Sequence, residues 1–416
     1  MENLSSNKIN YKSLLNEKNY IKEGIACIIS RFGDGIDTIA MSILIYKITG
    51  SALLVAILYA VNGVPNVVFG MVSGVACKYI SDKKIMVICD FGRGLCVSIL
   101  AFLFMLGKLE VWMLFFITFC NSSFESFRTP ASMSITPKLL PKEKMDYGIA
   151  AVSSGSKITE LAGYAAAPFI IGITGLSGAI FIDAVTFFIC GILVMLVRLK
   201  DTINTDGKND YLKDFKEGFK YVRADSLIFS LVIFAAVVNA LVVPLNALQA
   251  PFVEEILHKG SEALSVMSIA SLLGMTLITV FAPKIKEMIG GRWMFISGGI
   301  IVGISYVFMV LIGSLPDKMI LPILAVNLFC MGIGCLGVSF PLQIIMLKSV
   351  PGEFLPRVAS IFNAGALCVM PVASCIVGIV SDFLPLAWVF ILFGILMAFI
   401  FILQVFNKNI KAYNKY

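Results

Sequence analysis

Long apolar runs recur along this chain so regularly that they decide its fold class. Bounded by Gly, Pro or charge clusters, they fall at about 24–48, 51–76, 85–107, 111–136, 147–173, 177–197, 227–251, 262–283, 293–314, 319–347, 355–380 and 385–406. A bilayer core of about 30 Å takes roughly 20 apolar residues of helix, and every run is that long. Lipid offers the backbone no partner outside its own segment, so a spanning run is a helix or a closed barrel strand. These runs are too long and continuous for barrel strands. With 58% of its residues hydrophobic and 14% charged, the chain is a poor candidate for a soluble enzyme. The expectation is an all-α membrane protein with twelve transmembrane helices. Residues 1–20 are polar and lack the apolar core of a cleavable signal, so the first run is expected to be a permanent span.

The basic residues support the count. If the loops alternate sides, 25 of the 33 Lys and Arg lie on one side, four (Lys47, Lys108, Lys259, Lys318) on the other and four inside spans. The positive-inside rule then makes both termini cytoplasmic, and the expected location is a cell inner (plasma) membrane. The longest polar stretch, 199–225, lies near the midpoint and divides the chain into an N-terminal six-helix bundle (1–198) and a C-terminal one (226–416). Within it Tyr211, Leu212, Phe215, Phe219 and Val222 recur at helical spacing, which predicts an amphipathic helix at the cytoplasmic interface. The halves repeat: Pro130 and Pro141 correspond to Pro341 and Pro351, and Pro168 with Gly175 corresponds to Pro371 with Gly378. Two pseudo-symmetric six-helix repeats are how many secondary carriers are built.

Other counts narrow the chemistry. A single histidine, His258, leaves no imidazole cluster for a metal, so no metal and no cofactor is expected. The ten cysteines lie almost all in apolar runs and read as buried reduced thiols. No phosphate-binding G-x-x-x-x-G-K-S/T occurs. No nucleophile, base and orienting acid recur together, which argues against an enzyme. The net charge of +7 follows membrane topology rather than nucleic-acid binding. Lys outnumbers Arg, and Asn and Ile are frequent, a composition that points to a bacterium.

Several segments carry a family resemblance: GDGIDTIAMSILIYKITGSALLVAILYAVNGVP (33–65), DFGR (90–93), FRTPASMSITPKLLP (127–141), GAIFIDAVTFF (178–188), LKDFKEGFKYVRAD (212–225) and LKSVPGEFLPRVASIFN (347–363). In order and spacing they resemble the major facilitator superfamily, and within it the drug-exporter branch that includes macrolide efflux proteins and the enterobactin exporter. The resemblance implies alternating access by a monomer, acting on a small-molecule substrate held in the bilayer. It also implies a basic loop between helices 2 and 3 that latches the cytoplasmic ends of the halves. In that loop Lys78 and Tyr79 stand where an acid and a base are expected, and Lys83 and Lys84 match the basic end. The latch then requires Asp82 or Asp90, and Asp90 with Arg93 reads as part of a cytoplasmic gate.

Ionisable residues inside spans are costly and are functional candidates by default. Here they concentrate in the N-terminal half: Arg31, Asp34, Asp37, Asp90, Arg93, Glu125, Arg128, Lys157, Glu160 and Asp183. Residues three apart share a helix face, which suits Glu125 with Arg128 and Lys157 with Glu160 either to permanent ion pairs or to proton coupling. Burial favours the neutral acid and a nearby cation favours the carboxylate, so such acids can take and release protons. Counted from the span ends, Asp34, Asp37, Glu125 and Glu160 fall nearest mid-depth, and Asp90 and Arg93 nearer the cytoplasmic face. Because the resemblance places helices 1 and 4 on the central cavity, Asp34 and Glu125 form the leading pair. Asp183 reads as structural. Asn239, Asn246, Gln249, Asn327 and Gln343 would give the cavity's C-terminal side uncharged hydrogen-bonding groups, which suits an amphipathic substrate, or would serve helix packing. The leading expectation is proton-coupled efflux of drug-like or macrolide-like compounds; export of an endogenous metabolite such as a siderophore, solute symport and a non-transporting sensor are the alternatives.

Overall fold

The computed structural model describes residues 11–141, 144–198, 219–279, 281–350 and 355–406. After a 3-10 turn at Tyr11–Asn16 come α1 (Lys18–Thr49), α2 (Ala52–Tyr79), α3 (Asp82–Met105), α4 (Val111–Leu139) and α5 (Met145–Met195). The second half holds α6 (Ser226–Ala247), α7 (Gln249–Glu255), α8 (Ser261–Thr279), α9 (Ala282–Ile289), α10 (Gly291–Ile312), α11 (Asp317–Ser349), α12 (Leu355–Phe383) and α13 (Leu386–Leu403). No strand occurs among the described residues. Over the described residues, each of the twelve apolar runs lies mainly on helix. Two of them are the arms of α5, which bends at Gly175, where φ 71° and ψ 177° are open to glycine and strained for other residues. Another is divided between α6 and α7.

Eight described helical segments are long and apolar enough to cross a membrane by length and composition. The long helices outside that set, α1 and α4, carry Arg31, Asp34, Asp37, Glu125 and Arg128. Helix starts follow local chemistry. Ser81 caps α3 by accepting from the Lys84 amide at 3.4 Å, and Asp225 caps α6 by accepting from the amides of Leu227 and Ile228 at 2.9 and 3.2 Å. The amphipathic helix expected in 199–225 falls mostly on 199–218, outside the described residues. Residues 219–224 are helical, with Phe219 exposed and Val222 buried against Ile228, Val232 and Val358.

The chain forms two compact units. One takes Met1–Met41 and Val68–Gly207, the other Ser42–Val67 and Lys208–Tyr416. The sequence reading divides the chain at the linker, whereas this boundary runs through α1 and α2. Within the second unit, the ends of those helices dock on C-terminal elements. Tyr46 donates to Glu255 Oε1 at 2.6 Å, and Ser374 donates to the Ala56 carbonyl at 2.5 Å. In the first unit α3 packs on α4 and α5 around Ala26, Met86, Cys89, Ile135, Cys190 and Val194. In the second, α11 lies against α8 and α10, α10 against α13, and α6 against α12.

Between membrane helices there is little hydrophobic drive, so close backbone approach at small residues has to supply contact. In the first unit α1 crosses α5 at Gly35 and Gly163, where a Cβ on Gly163 would collide with the Phe32 carbonyl oxygen. Gly299 and Gly303, four apart on α10, work the same way, Gly303 facing the Gly394 carbonyl of α13 and Gly299 the Phe401 ring. Gly163→Leu therefore separates α1 from α5 and costs about 1–3 kcal/mol or more. Gly172, with nothing within 4 Å of a Cβ, is the control. In detergent, Gly163→Leu lowers the thermal midpoint and Gly172→Ala leaves it in place.

Candidate functional site

Four helical stripes, polar except for Phe187, meet inside the first unit. On α1, Glu23, Cys27, Arg31, Asp34 and Asp37 recur at spacings of three and four and so share one face. On α4 the same periodicity gives Asn121, Glu125, Arg128 and Ser132. Helix α3 contributes Asp82, Asp90 and Arg93, and the second arm of α5 contributes Asp183, Thr186 and Phe187.

Arg93 is the hub. Its guanidinium, on a side chain only 7% exposed, lies 3.4 Å from Asp34 Oδ1 and 4.0 Å from Glu125 Oε2. Its Nε donates to Asn121 Oδ1 at 3.4 Å, and its Cζ sits 4.0 Å from the centre of the Phe187 ring. A guanidinium has five donors in a rigid fork, so one side chain can hold groups from several helices at once. Arg31 adds a second cation to Asp34, at 3.2 Å. The structure thus brings together Asp34 and Glu125, the leading pair of the sequence reading, through a residue that reading assigned to the gate. Helix α3 starts at Asp82, three residues before its apolar run, and Arg93 stands about 16.5 Å along it.

Pairings between helices replace pairings along them. Glu125 faces Arg93, and Arg128 donates through Nε to Asp90, a carboxylate with no exposed surface. Asp82 accepts from Lys138 at 2.6 Å and Ser134 at 3.0 Å. Both acids proposed for the latch are therefore engaged with α4 inside the first unit. Lys83 is half-buried and Lys84 exposed at the same end, and the side chains of Lys78 and Tyr79 lie outside the described residues. Lys157 and Glu160 do pair along α5, at 2.9 Å, with Tyr164 also donating to Glu160 at 3.1 Å.

Asp183 is not remote from this cluster. It is 1% exposed, accepts from Thr186 at 3.3 Å, and sits so close to α1 that a Cβ on Gly33 would collide with its Oδ1. Asp37, one turn beyond Gly33 on α1, has a buried Oδ1 without a hydrogen-bond partner. Sequence reasoning missed Glu23, 2% exposed, which accepts from Cys27 at 3.2 Å and Ser132 at 3.0 Å. It stands one residue outside the apolar run, where hydropathy ends.

The C-terminal amides do not converge on one place. Asn239 donates to the Ala235 carbonyl of its own helix at 2.9 Å, and Asn327, buried, donates to the Ser305 carbonyl of α10 at 3.1 Å. Asn246 meets the Tyr59 hydroxyl, Gln249 opens α7, and Gln343 is exposed. The residue that organises this region is Tyr306. Its buried hydroxyl donates to the Leu241 carbonyl at 3.1 Å and accepts from the Leu245 amide at 3.3 Å. It thereby stands in for the i to i+4 bond of α6 beside Pro244, where a proline weakens the ladder.

Removing one member of a buried ion pair leaves the other charge unpaired, at a cost of about 3–5 kcal/mol. Arg128→Gln alone is expected to destabilise the protein by that amount. Asp90→Asn/Arg128→Gln together recover most of it, as a double-mutant cycle of thermal midpoints in detergent shows.

The family model for the Major Facilitator Superfamily matches this chain over residues 24–315 and 243–411, and the chain belongs to that superfamily. It is 25% identical over 372 residues to macrolide efflux protein A of Streptococcus pyogenes, covering 86% of this chain and 88% of that one. It is 25% identical over 336 residues to macrolide efflux protein A of Enterococcus faecalis, covering 78% and 99%. Among solved structures, a point mutant of the nucleoside transporter NupG superimposes with a TM-score of 0.75 at 12% identity, covering 93% of this chain and 99% of that one. A bacterial homologue of the iron transporter ferroportin gives 0.68 at 15% identity, covering 94% and 98%. These likenesses show the major facilitator fold, two pseudo-symmetric bundles of six transmembrane helices. The chain is a multi-pass transporter of a bacterial membrane, in a family that binds small-molecule substrates and is not enzymatic.

Proposed function

We propose that this superfamily member is a proton-coupled exporter of macrolide-like or similarly amphipathic compounds, working by alternating access as a monomer in the inner membrane with both termini cytoplasmic. The observation that carries the coupling is the Arg93 hub, which faces two mid-depth carboxylates, Asp34 and Glu125, with Asp37 and Asp183 behind them. One cation shared between acids from two helices has two stable arrangements, according to which acid holds a proton. Binding a proton from outside frees the guanidinium from one partner, and substrate and proton then exclude each other from the deprotonated site. Each charge moved is driven by about 2.3 kcal/mol per 100 mV of membrane potential, besides any pH gradient.

The substrate class draws on the macrolide efflux relatives and on the chain's own side chains. The many Phe and Met of the chain suit an amphipathic compound held mainly by shape. Lys157 and Glu160 add a second charged pair within the first unit, available to substrate or proton.

Cells expressing the protein are expected to accumulate less erythromycin and less of a lipophilic dye than empty cells, and a protonophore removes the difference. Asp34→Asn and Glu125→Gln each abolish the energised component while leaving protein in the membrane. Wild-type cells that accumulate both compounds like empty cells overturn the substrate class. Efflux untouched by both substitutions overturns the assigned coupling residues.

A further inference from the structure

Among the described residues, three carboxylate oxygens of the first unit are buried without a hydrogen-bond partner: Asp37 Oδ1, Asp90 Oδ2 and Asp82 Oδ1. A native fold rarely strands such atoms. A buried carboxyl oxygen that meets no protein donor is stable as the O–H of a neutral acid or in contact with a water molecule, and both carry a transferable proton.

The three atoms lie at different heights. Along α3, Asp82 and Asp90 are about 12 Å apart and Asp90 and Arg93 about 4.5 Å, at 1.5 Å per residue. Glu23 occupies the long interval. Its partner Ser132 stands on α4 between Arg128, which holds Asp90, and Ser134, which holds Asp82. By the same rise, Ser132 is about 6 Å from the first and about 3 Å from the second. Five levels result, each containing a carboxylate: Asp37 with Asp183, Asp34 with Glu125 around Arg93, Asp90 with Arg128, Glu23 with Cys27 and Ser132, and Asp82 with Ser134 and Lys138. By rise along α1, Asp37 and Asp34 are about 4.5 Å apart and Asp34 and Glu23 about 16.5 Å, an interval in which Asp90 and Arg128 stand, so a proton passes between levels by side-chain rotation and bridging water. The lowest level opens to solvent through Lys138, which is 39% exposed, beside Lys83 and Lys84.

We infer that this column is the transporter's proton path, running wholly inside the first unit from the Asp34, Glu125 and Arg93 cluster to the basic end of α3 and α4, with Glu23 as the carboxylate that links Asp90 to Asp82. At each hop a carboxylic O–H bond breaks, a new one forms on the next oxygen, and the carboxylate left behind is reprotonated from the level above. Arg93 and Arg128 do not exchange protons; they hold Asp34, Glu125 and Asp90 in line. Ser132, Cys27 and, one turn before Glu23, Tyr20 are the polar groups facing Glu23. The inference rests on the proton-coupled reading above, and it separates the proton's route from the substrate's.

Glu23→Gln tests it, because the amide keeps an acceptor oxygen for Ser132 and Cys27 but cannot pass a proton. Proteoliposomes loaded with a pH-sensitive dye report proton movement driven by an erythromycin gradient, and labelled erythromycin reports exchange at equal pH. Glu23→Gln is expected to slow the drug-driven proton flux about a hundredfold while exchange stays within about twofold of wild type, and Glu23→Asp restores much of the flux. Unchanged proton flux in Glu23→Gln overturns the path. Equal loss of flux and exchange in both variants also overturns it, assigning Glu23 a structural role. A wild type that exchanges erythromycin without moving protons overturns the coupling reading instead, and the path with it.

Discussion

A guanidinium buried in the middle of a helical bundle has to be neutralised and hydrogen-bonded from several sides, and Arg93 is met that way by α1, α4 and α5. Asp34 and Glu125 supply charge, Asn121 an acceptor and Phe187 a ring face. Because an isolated charge in this setting is prohibitive, the helices that carry these partners are held in register by it. The neighbouring contacts follow from that register. Arg128 lies one turn from Glu125 and reaches Asp90, one turn from Arg93, and Asp183, one turn from Phe187, lies against the bare backbone at Gly33. Buried ion pairs add little net stability, but they fix which helix faces which.

That arrangement gives the first unit a division of labour. Paired cations and acids set geometry, while in the proposed cycle the carboxylate oxygens left without partners are the atoms that exchange protons. The second unit carries no comparable set of buried charges among its described residues, and its polar groups are amides, hydroxyls and backbone. There the notable device is mechanical. Tyr306 threads its hydroxyl into α6 at Leu241 and Leu245, so the helix can break at Leu248 beside Pro244 without stranding backbone groups. In the proposed cycle the first unit handles protons and the second supplies adaptable helices.

Much of the fold is legible in the sequence because lipid makes hydropathy a strict signal. Over the described residues all twelve apolar runs lie mainly on helix, and two small residues four apart, Gly299 and Gly303, sit at a close helix contact. Finer readings failed where periodicity identifies a face but not the face opposite. Glu125 and Arg128, three apart, looked like partners; both point at α3, and each pairs there with a residue of opposite charge. Glu23 escaped because a charge ends an apolar run even when the helix continues, and α1 begins at Lys18. The repeat of Pro168 and Gly175 in Pro371 and Gly378 is a spacing without a shared role. Gly175 turns the chain between the arms of α5, whereas Gly378 lies within α12 against Leu53 and Ala56. Tyr306 gave only the weak signal that a tyrosine inside an apolar helix needs a partner for its hydroxyl.

The central claim is that drug and proton compete for one charge cluster in the first unit. Proton release on binding tests it most directly, measured by calorimetric titration of the purified transporter with erythromycin in buffers of different ionisation enthalpy. Linkage requires that a drug favouring the deprotonated cluster displace protons, so the account predicts net release of about one proton per bound drug, abolished in Asp34→Asn/Glu125→Gln. Binding whose apparent enthalpy is the same in every buffer, with no proton released by the wild type, would contradict it.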